Sequence, residues 1–323
     1  MKRLFIPLML CTLLVFSCKN ETKETPEEDT KAEVPEKQAE GPFFKISLAQ
    51  WSMHKMVEDD GANPFEFAKE ASGLGFDAVE YVSQLYEDQV KDLGMQAVVD
   101  SLKNEQKRHG VSCILIMVDH EGDLADPDEA KRNEAVEKHK KWVDATVTLG
   151  GHAIRVNTFG TNDPEEWLPA VTDGLKKLSE YAATKNINVL VENHGWLSSN
   201  AELVMEAITA VDMENCGTLP DFGNWCVKRA DEERWGDCVE EYPDLYKGTT
   251  LLMTAAKAVS AKAYDFNENG KQDKLDYVRL LQIVKDAGYT GHIGIEFEGD
   301  SLSEKEGIMA TKALLLSAAE QLK

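Results

Sequence analysis

The sequence predicts an α/β fold, a (β/α)8 TIM barrel in one domain, on three observations. Eight short apolar runs recur between residues 45 and 297. Longer segments with apolar residues at helical spacing separate them, so strands and helices alternate. No GxGxxG opens a helix after the first run, which argues against a dinucleotide-binding sheet. Residues 43–323 also have an ordinary length for one barrel.

The strands, in order, are KISLAQWS (45–52), DAVEYV (77–82), SCILIMV (112–118), AIRVN (153–157), NVLVEN (188–193), CGTLPD (216–221), AVSAKAY (258–264) and HIGIEF (292–297). Amphipathic segments between them include PFEFAKEASGLG, AVVDSLKNEQKRHG, DEAKRNEAVEKHKKWVDATVTLGG, EEWLPAVTDGLKKLSEYAATKN and KLDYVRLLQIVKDAG. Several end at Gly, a common helix stop. Asp163-Pro164-Glu165-Glu166 reads as a helix start, with a capping carboxylate, Pro at the first helical position and acids in the first turn.

The N-terminal region reads differently. Lys2 and Arg3 precede the apolar run Leu4–Phe16, which is short for a membrane span. Residues 1–17 are therefore expected to be an export signal. Val15-Phe16-Ser17-Cys18 resembles a bacterial lipobox, which predicts lipidation at Cys18 and a cell-envelope location on the periplasmic or surface side. Residues 18–42 are charged and lack aromatic bulk, so they are expected to be a flexible tether. The barrel domain then spans 43–323. The only expected contact with membrane is the lipid.

The chain carries 58 acidic against 35 basic residues, a formal net charge of −23. A phosphate-binding surface needs concentrated Lys and Arg, so nucleic acid is not an expected partner. Of the six cysteines, Cys11 leaves with the signal, and Cys113 and Cys216 sit in apolar runs where they pack as small hydrophobes. Cys226 and Cys238 flank a polar loop. In an exported protein they are either a disulfide or two free thiols. No CxxC is present.

Barrel chemistry sits at the carboxyl ends of the strands. Those ends offer Gln50, Trp51, Ser52 and His54 (first), Glu80 (second), Asp119 and His120 (third), and Arg155 and Asn157 (fourth). The later ends offer Glu192 and His194 (fifth), Asp221 and Asn224 (sixth), Ser260 and Lys262 (seventh), and Glu296 and Glu298 (eighth). Residues two apart on a strand share a face. Converging carboxylates repel one another unless a cation balances them. Oxygen-rich ligation suits Mn, Mg or Co better than a structural zinc. Any one of these acids alone is more simply a cap or an ion-pair member; Glu192, Asp221 and Glu296 together are not.

The motifs FDAVEYV, VLVENHG, LPDFGNW, VSAKAYDF and GHIGIEFEGD resemble the sugar isomerase/epimerase-like family of xylose-isomerase-type barrels, over about residues 44–320. That resemblance implies one divalent metal held by a Glu, an Asp, a His and a Glu from strands five to eight. Carried over, these are Glu192, Asp221 and Glu296, with Ser260 where the histidine is expected. The family's His-x-Lys-Asp reads Ser260-Ala261-Lys262-Ala263 here. The fourth ligand is then water, His194 or Glu298. Lys262 matches a lysine that contacts substrate oxygen. One relative of the fold repairs DNA, a role the acidic charge speaks against.

The resemblance implies proton abstraction next to a carbonyl, with Glu192 and Glu296 as the acid/base pair and a small carbohydrate as substrate. The expected substrate-binding residues are His194, Asn224, Lys262, Trp51, Glu80 and Asn157. Isomerisation or epimerisation is the first reading. Elimination from a 3-keto-sugar or 3-keto-glycoside, as a lyase or deglycosidase, is the second. A carbohydrate-binding barrel without metal is the third, and the missing strand-seven histidine is its support.

Overall fold

All eight predicted runs form strands, and they lie side by side in chain order. In the computed structural model, which describes residues 41–230 and 233–323, they are β1 (Lys45–Ala49), β2 (Ala78–Val82), β3 (Ser112–Val118), β4 (Ala153–Val156), β5 (Asn188–Glu192), β6 (Cys216–Leu219), β9 (Val259–Ala263) and β10 (His292–Phe297). Two more, β7 (Cys226–Arg229) and β8 (Cys238–Glu241), form a separate antiparallel hairpin after β6 that periodicity does not announce. The expected export signal, Cys18 and nearly all of the tether lie outside the described residues.

Every neighbouring pair in the eight-stranded sheet is parallel. The barrel closes between β6 and β9 through two isolated bridges, Thr218 with Ala256 and Asp221 with Ser260. The backbone bonds that cross this joint run from Thr218 N to Ala255 O, Lys257 N to Thr218 O, Ser260 N to Pro220 O and Phe222 N to Ser260 O.

Helices cover the outside because each strand is apolar on its outer face. On β10, Ile293, Ile295 and Phe297 are buried outward, and Phe297 meets Gly307 of the helix Glu304–Glu320. Gly294 and Glu296 face inward. The predicted helix start at Asp163 is present: its carboxylate accepts from Glu165 N, and Pro164 opens a helix that runs to Ala183. Ser303 and Glu306 form a reciprocal capping box on the last helix. The long helix Glu129–Leu149 stops at Gly150, whose φ of +83° suits glycine. Cys113 and Cys216 are buried free thiols. Among the described residues no helix is long and apolar enough to cross a membrane.

The inside of the barrel is polar over its upper half. Ser47, Glu80, Arg155, Glu192, Thr218, Ser260, Lys262 and Glu296 are each at most 4% exposed. The register sets them in layers. Ser47 lies opposite Gly294, Gly294 opposite Ser260, and Glu296 opposite Lys262.

Candidate functional site

β5 ends at Glu192 and is followed by Asn193 and His194, and each of the three has a separate task. Asn193 is structural: its amide donates to the carbonyls of Asp221 (2.9 Å) and Asn224 (3.1 Å), and its oxygen accepts from Asp221 N (2.7 Å). It thereby pins the segment after β6 to the end of β5. Glu192 points inward. With Asp221 and Glu296 it offers three carboxylate oxygens within 4.8 Å of one another, all three residues being buried.

Asp221 Oδ1 accepts from the backbone N–H of Gly223 (2.8 Å) and Asn224 (2.7 Å), and Oδ2 accepts from the Ser260 hydroxyl at 2.6 Å. The same hydroxyl lies 3.3 Å from Glu296 Oε2. Two buried cations face the acids. Lys262 Nζ is 2.7 Å from Glu296 and 3.0 Å from Glu298. Arg155 Nη1 donates to Asp119 at 2.8 Å, while its Nε lies 2.8 Å from Glu192 Oε2 without hydrogen-bond alignment. That contact is ionic, and Glu192 Oε2 has no hydrogen-bond partner.

The electrostatics follow from burial. It pushes the Glu192 carboxyl well above the usual range, and Arg155 opposes this. Burial likewise lifts Asp221 to about 6, against the attraction of Lys262. For Glu298, burial raises the value, but the Lys262 ammonium outweighs it and holds the group low. Lys262 is itself held well above its ordinary value: burial works against its charge, and Glu296, Glu298 and Asp221 more than compensate.

A divalent cation fits this donor set. Three hard oxygens converge, two of the carboxyls are driven toward protonation by burial and their neighbours, and one of the oxygens lacks a partner. Ser260 touches two of the three acids from the position where the resemblance expects histidine. Among the described residues neither His194 nor Glu298 joins the cluster. His194 Nδ1 is bound to Asn157 Oδ1 at 2.7 Å, and Glu298 is paired with Lys262.

A cavity of about 800 Å³ opens above the acids. His194, Asn224, Trp51 and Asn157 line it, together with Glu296 and Glu298. Asn157 Nδ2 donates to Asp119 at 2.5 Å, so its oxygen faces His194 and fixes the proton on Nδ1. Burial, helped by Arg155, drops the His194 pKa to about 3. The ring is therefore neutral, and Nε2 is left as an acceptor. Trp51 stacks on His54 with centroids 4.3 Å apart.

Lys262 is fully buried beneath the cavity wall and reaches it through its glutamates. Glu80 departs from its expected place against substrate. It lies inside the barrel beside Gly294, one inward-facing position below Glu296 on β10. Its Oε1 accepts from Ser47 at 2.6 Å and its Oε2 has no partner. A Cβ on residue 294 would come within 2.6 Å of Glu80 Oε1, so glycine there makes room for the carboxylate.

Three groups of residues carry more of the site than sequence reading assigns them. Arg155 and Asp119 stand at strand ends, where sequence alone gives them no role; the alternation of Arg155 with Asn157 is the available signal. Tyr264 also lines the cavity. Arg229, Arg234 and Trp235 come from the β7–β8 hairpin, for which no periodic signal exists. A disulfide joins Cys226 to Cys238 across that hairpin, with Cα atoms 5.7 Å apart.

Known structures share this architecture. The IolI protein with a bound zinc atom superposes with a TM-score of 0.62 at 14% identity, covering 86% of this chain and 99% of that one. D-psicose 3-epimerase with D-tagatose from Clostridium cellulolyticum H10 gives 0.61 at 13% identity, covering 86% and 98%. A 3-keto-D-glucoside 4-epimerase from E. coli gives 0.58 at 15%, covering 77% and 93%. At such identities the likeness is one of fold. No curated protein matches the sequence. Residues 68–318 match the family described as the xylose isomerase-like TIM barrel, and the chain belongs to that family.

Proposed function

We propose that this protein is a sugar isomerase or epimerase that moves a proton on a carbon next to a carbonyl, assisted by a divalent cation at Glu192, Asp221 and Glu296. The observation that carries the reading is the meeting of these three acids, from three strands, under a cavity lined by polar and charged hydrogen-bonding groups. A cation bound there supplies Lewis acidity to the carbonyl and a counter-charge to the acids.

The protein's own residues do the rest. Glu192 and Glu296 come from β5 and β10, so they approach the reacting carbon from different sides, and either can take the proton while the other returns it. Arg155 steadies Glu192, and Lys262 steadies Glu296. His194 accepts a substrate hydroxyl at Nε2, and Asn224 offers an amide nitrogen that lacks a partner. Trp51 forms an apolar wall.

A second reading, elimination from a 3-keto-glycoside, uses the same proton abstraction. The size of the cavity favours it, since about 800 Å³ is near the top of the usual range for small-molecule sites. We also propose that Cys18 is lipidated and holds the barrel at the cell envelope.

Isotope exchange tests the reading. With Mn, Mg or Co in D2O, wild-type protein is expected to place deuterium on the carbon next to the carbonyl of one sugar in a panel of aldoses, ketoses, 3-keto-sugars and 3-keto-glycosides. Glu192→Gln should fold normally, bind divalent metal more weakly and exchange no proton. Absence of exchange with every sugar, or full metal content in Glu192→Gln, would overturn it.

A further inference from the structure

We propose that the β7–β8 hairpin builds a second sugar subsite at the cavity rim around Trp235, so that the ligand is a disaccharide or longer glycoside rather than a free monosaccharide. This rests on the carbohydrate reading above and extends it outward from the acids.

Trp235 is 57% exposed, the highest among the Trp, Tyr and Phe side chains of the described residues, yet it lines the cavity. An indole left open at a site mouth offers a flat apolar face and a polar N–H to whatever enters the cavity. Its position is well defined by its neighbours. Its ring centroid lies 5.4 Å from Phe159, edge to face, and 5.2 Å from His194. His194 connects it downward: through Asn157 and Asp119 the hydrogen bonds run to Arg155, which pairs with Glu192. Trp235 thus stands one layer above the groups that would hold the reacting ring.

Two arginines come from the same hairpin, and the Arg229 guanidinium lies over the Trp235 ring, 5.8 Å from its centroid. The Arg234 guanidinium lies 4.5 Å from the Phe159 ring centroid and donates to Asp123 at 2.7 Å. Arg229 donates from Nη1 to Gly236 O at 2.8 Å, and its buried Nε has no partner. Both line the cavity. An open aromatic face beside fixed N–H donors matches a pyranose, which offers C–H groups on one face and hydroxyls around its edge. The Cys226–Cys238 disulfide crosses the hairpin from the start of β7 to the start of β8, which limits how far these groups can move from the rim.

The test compares monosaccharides with their dimers. Glucose, galactose and xylose, and cellobiose, lactose and xylobiose, are titrated by calorimetry, with saturation-transfer NMR to detect which ring touches protein. At least one dimer is expected to bind about tenfold tighter than its component sugars, the scale of one aromatic contact. Trp235→Ala should collapse that ratio, and Trp235→Phe should keep most of it. Saturation should reach both rings in wild type and only one in Trp235→Ala.

Equal affinity for dimers and monosaccharides, or a ratio unchanged in Trp235→Ala, overturns the subsite and leaves the carbohydrate reading standing. If none of these sugars binds the wild-type protein, the subsite falls, and the carbohydrate reading rests on the isotope-exchange panel.

Discussion

Replacing Glu80 with glutamine tests how charge is carried inside the barrel. Burial lifts the Glu80 carboxyl to about 7; the Ser47 hydroxyl holds it down somewhat and the charge of Glu296 adds to the rise. In the unfolded chain the value returns to its ordinary 4.5. That gap corresponds to about 3 kcal/mol. The folded state prefers the protonated form, so the stabilisation is complete below about pH 4.5 and is lost as pH rises to about 7. An amide at this position cannot titrate, so the Glu80→Gln variant lacks that pH dependence.

The Glu80→Gln variant also puts an amide nitrogen where Oε2 has no partner, a pH-independent offset of about 1–3 kcal/mol. The stability of wild type minus that of Glu80→Gln should therefore fall by about 3 kcal/mol between about pH 4.5 and about pH 8. Urea denaturation in EDTA, followed by far-ultraviolet circular dichroism across that range, measures it. A difference that stays flat within about 1 kcal/mol would show that Glu80 ionises as an ordinary carboxylate and that the interior is better solvated than its burial suggests.

Three further outcomes are expected. Lys262→Met leaves Glu296 and Glu298 without their ammonium and should cost about 3–5 kcal/mol in EDTA; a loss under about 1 kcal/mol in urea denaturation would mean that these buried contacts contribute no more than an exposed ion pair. Ser260→His should tighten divalent-metal binding about tenfold or more by calorimetry, since imidazole replaces a hydroxyl already touching two of the acids; unchanged affinity would place the ion elsewhere. Cys18→Ser should move the protein from the membrane to the soluble fraction, and unchanged fractionation would refute the lipidation proposal.

Periodicity is enough to locate the barrel, because buried parallel strands are apolar runs and the helices between them are amphipathic. The acids are legible for a related reason: Glu192, Asp221 and Glu296 each interrupt or end an apolar run, where an ionisable group needs a cause. Partners are harder to read. That Arg155 bridges Asp119 and Glu192 depends on strand register, which one sequence does not specify. Glu80 is misplaced by sequence reading because a carboxylate one position deeper looks the same in sequence; only Gly294 on a distant strand accounts for the space it occupies. The hairpin is invisible for want of alternation, since β8 is exposed along its whole length.

The joint between β6 and β9 puts this site in an unusual mechanical position. The barrel's other seams are ladders between paired strands, while this one is held by separate bridges, and two of its residues, Asp221 and Ser260, are also groups of the site. Anything that draws Asp221 and Glu296 together therefore pulls on a seam made of isolated bridges. Local opening is read amide by amide in hydrogen exchange, so the amides of Phe222 and Ser260, which donate across this joint, serve as a built-in gauge. A filled site should register there as slower hydrogen exchange, without reference to catalysis.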